Sequence, residues 1–238
     1  MHNTQLLDWD SNVLGVSVAK ILTATLTPEK LTSLLHMLKS KGVKLVYWLI
    51  ANEDVTSQKA AQHCGGLLTD EKVTYHLDLK TLLPFYIDKE IAIYTADTAN
   101  AELEAISVEI SKFSRFSHDP HLTISQVNKL YKTWIDNACK KIVAKTVLVI
   151  KDQYAIVGMV TIDDKKGRAD LSLLGVDPQH QGKGLGKRLV QAAQAWSIVN
   201  NYTLSQVVTQ KSNYKARRLY ESCGYQQKKT EKFYHFWV

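Results

Sequence analysis

Two short stretches of the 238-residue chain hold residue types at spacings that chemistry can use. The first is Gln181-Gly182-Lys183-Gly184-Leu185-Gly186, set between a strand-like run (171–176, closed by Asp177-Pro178) and a helical pattern. In that pattern Leu185, Leu189, Ala192, Trp196 and Val199 step by four and three, which marks an amphipathic helix. Glycines let a ligand approach the backbone. The free N–H groups of a helix start, with its dipole, favour an anion. Lys183, Lys187 and Arg188 add charge at the rim, so the ligand fragment expected here is a phosphate or pyrophosphate. A nucleotide-triphosphate loop, G-x-x-x-x-G-K-[ST], would need glycine at Gln181 and a hydroxyl at Arg188. The dinucleotide fingerprint G-x-G-x-x-G fails from both Gly182 and Gly184.

The second stretch is VVTQKSNYKARRLYESCGYQ (207–226). Asn213, Ala216 and Tyr220 fall at i, i+3 and i+7 on one helix face, and Gly224 after Cys223 supplies the residue that ends the helix. Together the two stretches read Q-x-x-G-x-G after V-D-P, then N-x-x-A-x-x-x-Y-x-x-x-G-Y. This pairing resembles the GCN5-related N-acetyltransferase (GNAT) superfamily. The resemblance implies an α+β fold with a mixed α/β sheet, and acetyl-CoA or another acyl-CoA as co-substrate, with no metal. It implies that Gln181, Gly182, Lys183, Gly184, Leu185, Gly186 and Lys187 cradle the coenzyme pyrophosphate and that Asn213 contacts the coenzyme arm. The backbone of Val176 would then sit at the thioester carbonyl, where N–H groups can stabilise an oxyanion. Tyr220 becomes the expected general acid for the departing thiolate. Asp170 is the first candidate for the base, with His118, Asp119, His121 and His180 as alternatives.

The loop Phe113-Ser114-Arg115-Phe116-Ser117-His118-Asp119 interleaves aromatics with arginine, a composition suited to a stacked base and a phosphate. With the opening LDWDSNVLGV, the Y-x-x-W-x-x-N pattern at 131–137 and the VVTQ strand, it resembles one branch of the superfamily. That branch is the bacterial dTDP-fucosamine acetyltransferases and related nucleotide-amino-sugar N-acyltransferases. By that resemblance Ser114, Arg115, Phe116 and Asp119 lie near the acceptor. The function implied is transfer of an acetyl, or longer group such as 3-hydroxybutanoyl, to the amine of a dTDP-linked amino-deoxyhexose for surface polysaccharide synthesis. Alternatives are a GNAT enzyme acting on a protein N-terminus, a lysine or another small amine, a non-catalytic coenzyme-binding module, and a nucleic-acid binder.

The elements that must position these residues alternate along the chain. Leu31, Leu34, Leu35 and Leu38 follow the helix-start signal Thr27-Pro28, and strand-like runs at 13–22, 43–50 and 73–79 surround helical pieces. After a proline-bearing linker (81–90) come a strand at 91, helices at 97–112 and 124–139, and strands at 146–151, 155–162 and 169–176. The helix from 185 then leads to a strand at 203–209, the helix at 213–222 and two last strands. This order predicts a small N-terminal domain at residues 1–85 and a catalytic domain at 90–238. Shifting the chain by 159 residues places Cys64-Gly65 on Cys223-Gly224 and Tyr75-His76 on Tyr234-His235. The first domain therefore reads as a degenerate half-GNAT copy, with Asp54 at the place of Asn213 and Ala61 at the place of Tyr220, expected to shape the acceptor pocket or an interface but do no chemistry.

Charge supports the small-molecule reading. Of the net +7, residues 1–90 carry −1 and residues 91–238 carry +8, without a long basic run. That suits two phosphorylated small molecules better than a nucleic acid. Three cysteines in no paired spacing, no leader pattern and no 20-residue apolar run predict a cytoplasmic protein with no membrane partner. A homodimer is an expected assembly.

Overall fold

The computed structural model describes residues 4–82 and 88–238. The first part of the chain runs β1 (Thr4–Leu6), α1 (Asp8–Leu14), β2 (Val18–Ile21), α2 (Pro28–Ser40), β3 (Leu45–Ala51), α3 (Val55–His63) and β4 (Leu67–Asp78). The second runs β5 (Ile91–Ile93), α4 (Ala101–Ser111), α5 (Ile124–Cys139), β6 (Thr146–Asp152), β7 (Ala155–Asp164) and β8 (Ala169–Val176). It continues through α6 (Leu185–Val199), β9 (Leu204–Gln210) and α7 (Tyr214–Ser222) to β10 (Gln226–Trp237). The strands form one mixed sheet in the order β1-β2-β3-β10-β4-β9-β8-β7-β6-β5. The fold is α+β.

Two local expectations differ from the structure. Residues 8–14 are helical, not part of a strand starting at 13. Gly15 ends α1 at φ 73°, a left-handed position that a residue with a side chain resists. The two last strands are a single twelve-residue strand, β10, which stays continuous by taking a bulge at Lys228.

The middle of the sheet is an exchange. β10 lies between β3 and β4, and β4 lies between β10 and β9, so each half inserts its last strand into the other. The 159-residue shift describes this arrangement residue by residue. It carries β3 onto β9, α3 onto α7 and β4 onto β10 with identical bounds. Asp54 and Asn213 both cap their helices, accepting from Ser57 N and Ala216 N, and Gly65 and Gly224 follow at φ 74° and 89°. The β4–β9 ladder, from Lys72↔Gln210 to Asp78↔Leu204, maps onto the β10–β3 ladder, from Glu231↔Ala51 to Trp237↔Leu45. The β4–β10 ladder maps onto itself, with Gln226↔His76 exchanging with His235↔Leu67 about the central pair Lys72↔Glu231. Residues 45–78 and 204–237 are thus related by a local two-fold through the sheet.

Side-chain alternation then sends the two faces to different cores. On one face Tyr234 and Phe236 pack with α2 and α3, and Val73, Tyr75 and Leu77 pack with α6 and α7. On the other, Tyr47, Phe233 and Trp237 meet α1, α4 and α5. The last of these helices begins in a full capping box, Thr123 with Gln126, and Gln126 also donates to the carbonyl of Leu14, which ties α1 down.

Because β9 and β10 touch only through β4, a polypeptide of residues 88–238 alone should fail to fold. Circular dichroism and solubility check this expectation, and a folded, cooperatively melting fragment would contradict it.

Candidate active site

The sheet opens at one place. β8 and β9 run parallel and pair only through Ala169↔Ser205, Asp170↔Gln206 and Leu171↔Val207, while β8 stays paired with β7 as far as Val176. Beyond Leu171 the two strands splay apart. A cavity of about 660 Å³ passes through the gap and is lined from both faces.

On the α6/α7 face it is bordered by Val176, Gln181, Gly182, Gly184, Leu185 and Gly186, and by Asn213, Ala216, Leu219 and Tyr220. Gly182 and Gly184 have φ 78° and 76°. They are glycines for backbone reasons, since the left-handed φ rather than any close neighbour excludes a side chain: a Cβ at either would meet nothing within 4 Å. Gly184 starts α6, whose first N–H groups have no partner within the helix. Lys183 and Lys187 stay exposed at the loop's rim. Arg188 departs from the expectation for it. Its guanidinium is held by Asp88 at 2.7 and 3.0 Å and by Glu90 at 2.5 Å, so it ties the linker to α6 instead of serving an anion. Gln181 reaches back to donate to the carbonyl of Val176, which fixes the loop against the end of β8. Tyr220 is buried, yet its hydroxyl has no hydrogen-bond partner among the described residues and borders the cavity. Burial holds its pKa well above the usual tyrosine value, so it stays a protonated donor.

On the opposite face the wall is Asp70 and Lys72 of β4, Ser114, Arg115, Phe113, Tyr131, Trp134, Phe233, Lys165 and Asp170. Arg115 lies against three rings, with its guanidinium carbon 3.9 Å from the centroid of Phe116, 4.3 Å from Phe233 and 4.8 Å from Tyr47. Asp10 of α1 approaches at 4.0 Å, and the buried Nε has no partner among the described residues. Stacking of this kind leaves an arginine's edge free for a planar anion.

Phe116 and Asp119, expected near the acceptor, do not line the cavity. Phe116 is 2% exposed and forms part of the core beneath Arg115. Asp119, also 2% exposed, accepts from His235 Nδ1 at 2.7 Å, Trp237 Nε1 at 3.0 Å and the His121 N–H at 3.0 Å. Burial alone would raise its pKa. These bonds outweigh burial and hold it at about 2, while burial keeps His235 neutral with a pKa near 4. Both residues position the Arg115 loop and do not reach the cavity. His118 and His121 also stand outside it, and His180 at its edge is bonded to Asp152 and Asp177.

Asp170 lines the cavity with its oxygens occupied: Gln206 Nε2 donates at 2.6 Å, Ser172 Oγ at 3.2 Å, and Lys165 sits 3.6 Å away. The carboxylate overlooked by sequence reasoning is Asp70. The strand-like pattern began at Val73, and the polar run Thr69-Asp70-Glu71-Lys72 gives no strand signal until β10 and β9 pair with it.

Comparison with known proteins agrees with this geometry. Residues 144–227 match the family model for the acetyltransferase (GNAT) domain. That match takes in only part of the chain, and nearly the whole length shares its fold with the solved acetyltransferase structures below. The chain is similar to the spore coat polysaccharide biosynthesis protein SpsD of Bacillus subtilis (strain 168), with 26% identity over 124 residues. That match takes in 52% of this chain and 43% of SpsD, so less than half of the relative's length is represented. A GCN5-related N-acetyltransferase from Sphaerobacter thermophilus superposes with a TM-score of 0.61 at 14% identity, covering 98% of this chain and 76% of that one. A tandem GNAT protein from the clavulanic acid biosynthesis pathway gives 0.60 at 13%, covering 94% and 76%. Among the described residues no helix is long and apolar enough to cross a membrane.

Asp119→Asn should cost roughly 2–3 kcal/mol at pH 7, the worth of hydrogen bonds to a buried charge. Because the folded pKa is depressed, the wild-type advantage is present above about pH 4 and fades as pH falls through about 2. Urea unfolding across that range measures it, and a variant as stable as wild type at pH 7 would contradict the positioning role.

Proposed function

We propose that the protein is an acyl-CoA-dependent N-acyltransferase whose acceptor is an amino sugar carried on a nucleotide, in the synthesis of a surface polysaccharide. One observation carries the reading: the cavity crosses the sheet, with an anion-binding loop and a protonated tyrosine on one face and aromatic rings with stacked arginine on the other.

Coenzyme pyrophosphate would lie on the 181–187 loop, and the pantetheine arm would pass Asn213 into the splay between β8 and β9. That route delivers the thioester to the sheet's opening. There the Val176 backbone would polarise the carbonyl and Tyr220 would protonate the leaving thiolate. On the other face Arg115 would engage a phosphate, with Tyr131 and Trp134, whose ring centroids are 5.7 Å apart, as a stacking wall. The SpsD similarity supports a polysaccharide precursor, and the +8 charge after residue 90 suits a doubly anionic pair of substrates.

Thiol release from acetyl-CoA and longer acyl-CoAs, with a panel of dTDP-amino-deoxyhexoses, tests the proposal. Saturable turnover with one or more sugars is expected, and turnover confined to lysine or N-terminal peptides would replace the acceptor. Tyr220→Phe should lower kcat by about 10²–10⁴-fold with acetyl-CoA affinity within about threefold of wild type. Unchanged turnover would remove Tyr220 from the acid role.

A further inference from the structure

Asp70 stands on β4 two residues beyond the last pair of the β4–β9 ladder, Lys72↔Gln210, and opposite Phe233 of β10. It therefore projects on the face that packs against α4 and α5, at the edge of the opening. Of the four aspartates discussed on this face, Asp119 and Asp170 have their oxygens occupied by neighbouring side chains, and Asp10 lies 4.0 Å from Arg115. No side chain hydrogen-bonds to the Asp70 carboxylate among the described residues. The charged groups around it come from every packed element: Lys72 and Glu71 on its own strand, Glu231 of β10 paired to Lys72 at 3.6 Å, and Arg115 of the α4–α5 loop. Glu109 of α4, Tyr131 of α5, and Asp170 and Lys165 of the β7–β8 side complete the set. Burial raises its pKa to about 7. Arg115 and Lys72 pull against that shift and Glu71 adds to it.

We propose, building on the acyltransferase reading above, that Asp70 is the catalytic base, so that the N-terminal half supplies one of the reacting groups. An acceptor arriving as R–NH3+ gives one proton to the Asp70 carboxylate. The freed nitrogen lone pair attacks the thioester carbon, and the C=O pair moves onto oxygen. Collapse of that intermediate re-forms the C=O, breaks C–S and leaves the amide. Tyr220 gives its proton to the departing sulfur, the second nitrogen proton leaves to solvent and an equal proton from solvent restores Tyr220, and Asp70 returns its proton to water. The net change is R–NH3+ and acyl-CoA to amide, CoA-SH and one H+. The base lies on one face of the sheet and the acid on the other, and both border the one cavity that crosses it.

The test is the pH dependence of kcat/KM in wild type, Asp70→Asn, Asp70→Glu and Asp170→Asn, alongside carbon-13 carboxyl titration of Asp-labelled protein with Asp70→Asn as the blank. In wild type the rate should rise with pH and level off above about 7. Asp70→Asn should lose roughly 10²–10⁴-fold and that acidic limb with it, with acetyl-CoA affinity unchanged. Asp70→Glu should recover part of the rate, Asp170→Asn should keep the limb, and the Asp70 carboxyl should titrate near neutrality. Wild-type turnover with an unaltered limb in Asp70→Asn, or a carboxyl midpoint near 4, would overturn the assignment and leave the acyltransferase reading standing. Absence of thiol release by wild type with every amine would overturn that reading, and the base with it.

Discussion

The exchange of β4 and β10 is the constraint on which the rest depends. Twelve-residue strands from the two halves pair antiparallel about Lys72 and Glu231, and each also pairs outward with a strand of the opposite half. Neither half can complete its sheet alone, since an unpaired strand edge in the interior would leave backbone donors and acceptors without partners. The cavity wall around Arg115 depends on this exchange as well. β4 brings Asp70 and Lys72 to the cavity, and β10 brings Phe233 to Arg115 and His235 to Asp119.

The two-fold relation is strict in the exchanged region and lost outside it, and the cavity lies where it is lost. Both halves have a parallel strand pair joined through a helix, but the link between β2 and α2 is short and has no glycine, whereas that between β8 and α6 holds two, Gly182 and Gly184. At the position of Tyr220 the first half has Ala61, which is fully buried beside α2. In the second half the glycine loop borders the cavity. In the first half the matching stretch is packing, and only β4 reaches the cavity, through Asp70 and Lys72.

What was legible in the sequence is what local chemistry determines. The glycine loop, the Asn213–Tyr220 face, the α5 capping box and the 159-residue shift all rest on residues close together in the chain or repeated at one spacing, and the structure places them as read. What was not legible depends on partners far away in sequence. Phe116 and Asp119 resemble ligand-binding residues until His235 and Trp237, more than a hundred residues later, bury them. Arg188 looks like a phosphate ligand until Asp88 and Glu90 occupy it. Asp70 sits in a polar stretch without alternation and becomes a cavity residue only through long-range pairing on both sides.

The central claim is that a thioester reaches the acceptor through the opening between β8 and β9. A crystal structure with a non-hydrolysable acetyl-CoA analogue tests it most directly. The account expects the pyrophosphate on residues 181–187 and the pantetheine between Val176 and Asn213. The Tyr220 hydroxyl should lie within hydrogen-bond reach of the atom that replaces sulfur, with the acyl group facing Asp70. A coenzyme bound along the outside of the sheet, or in the N-terminal half, would contradict it.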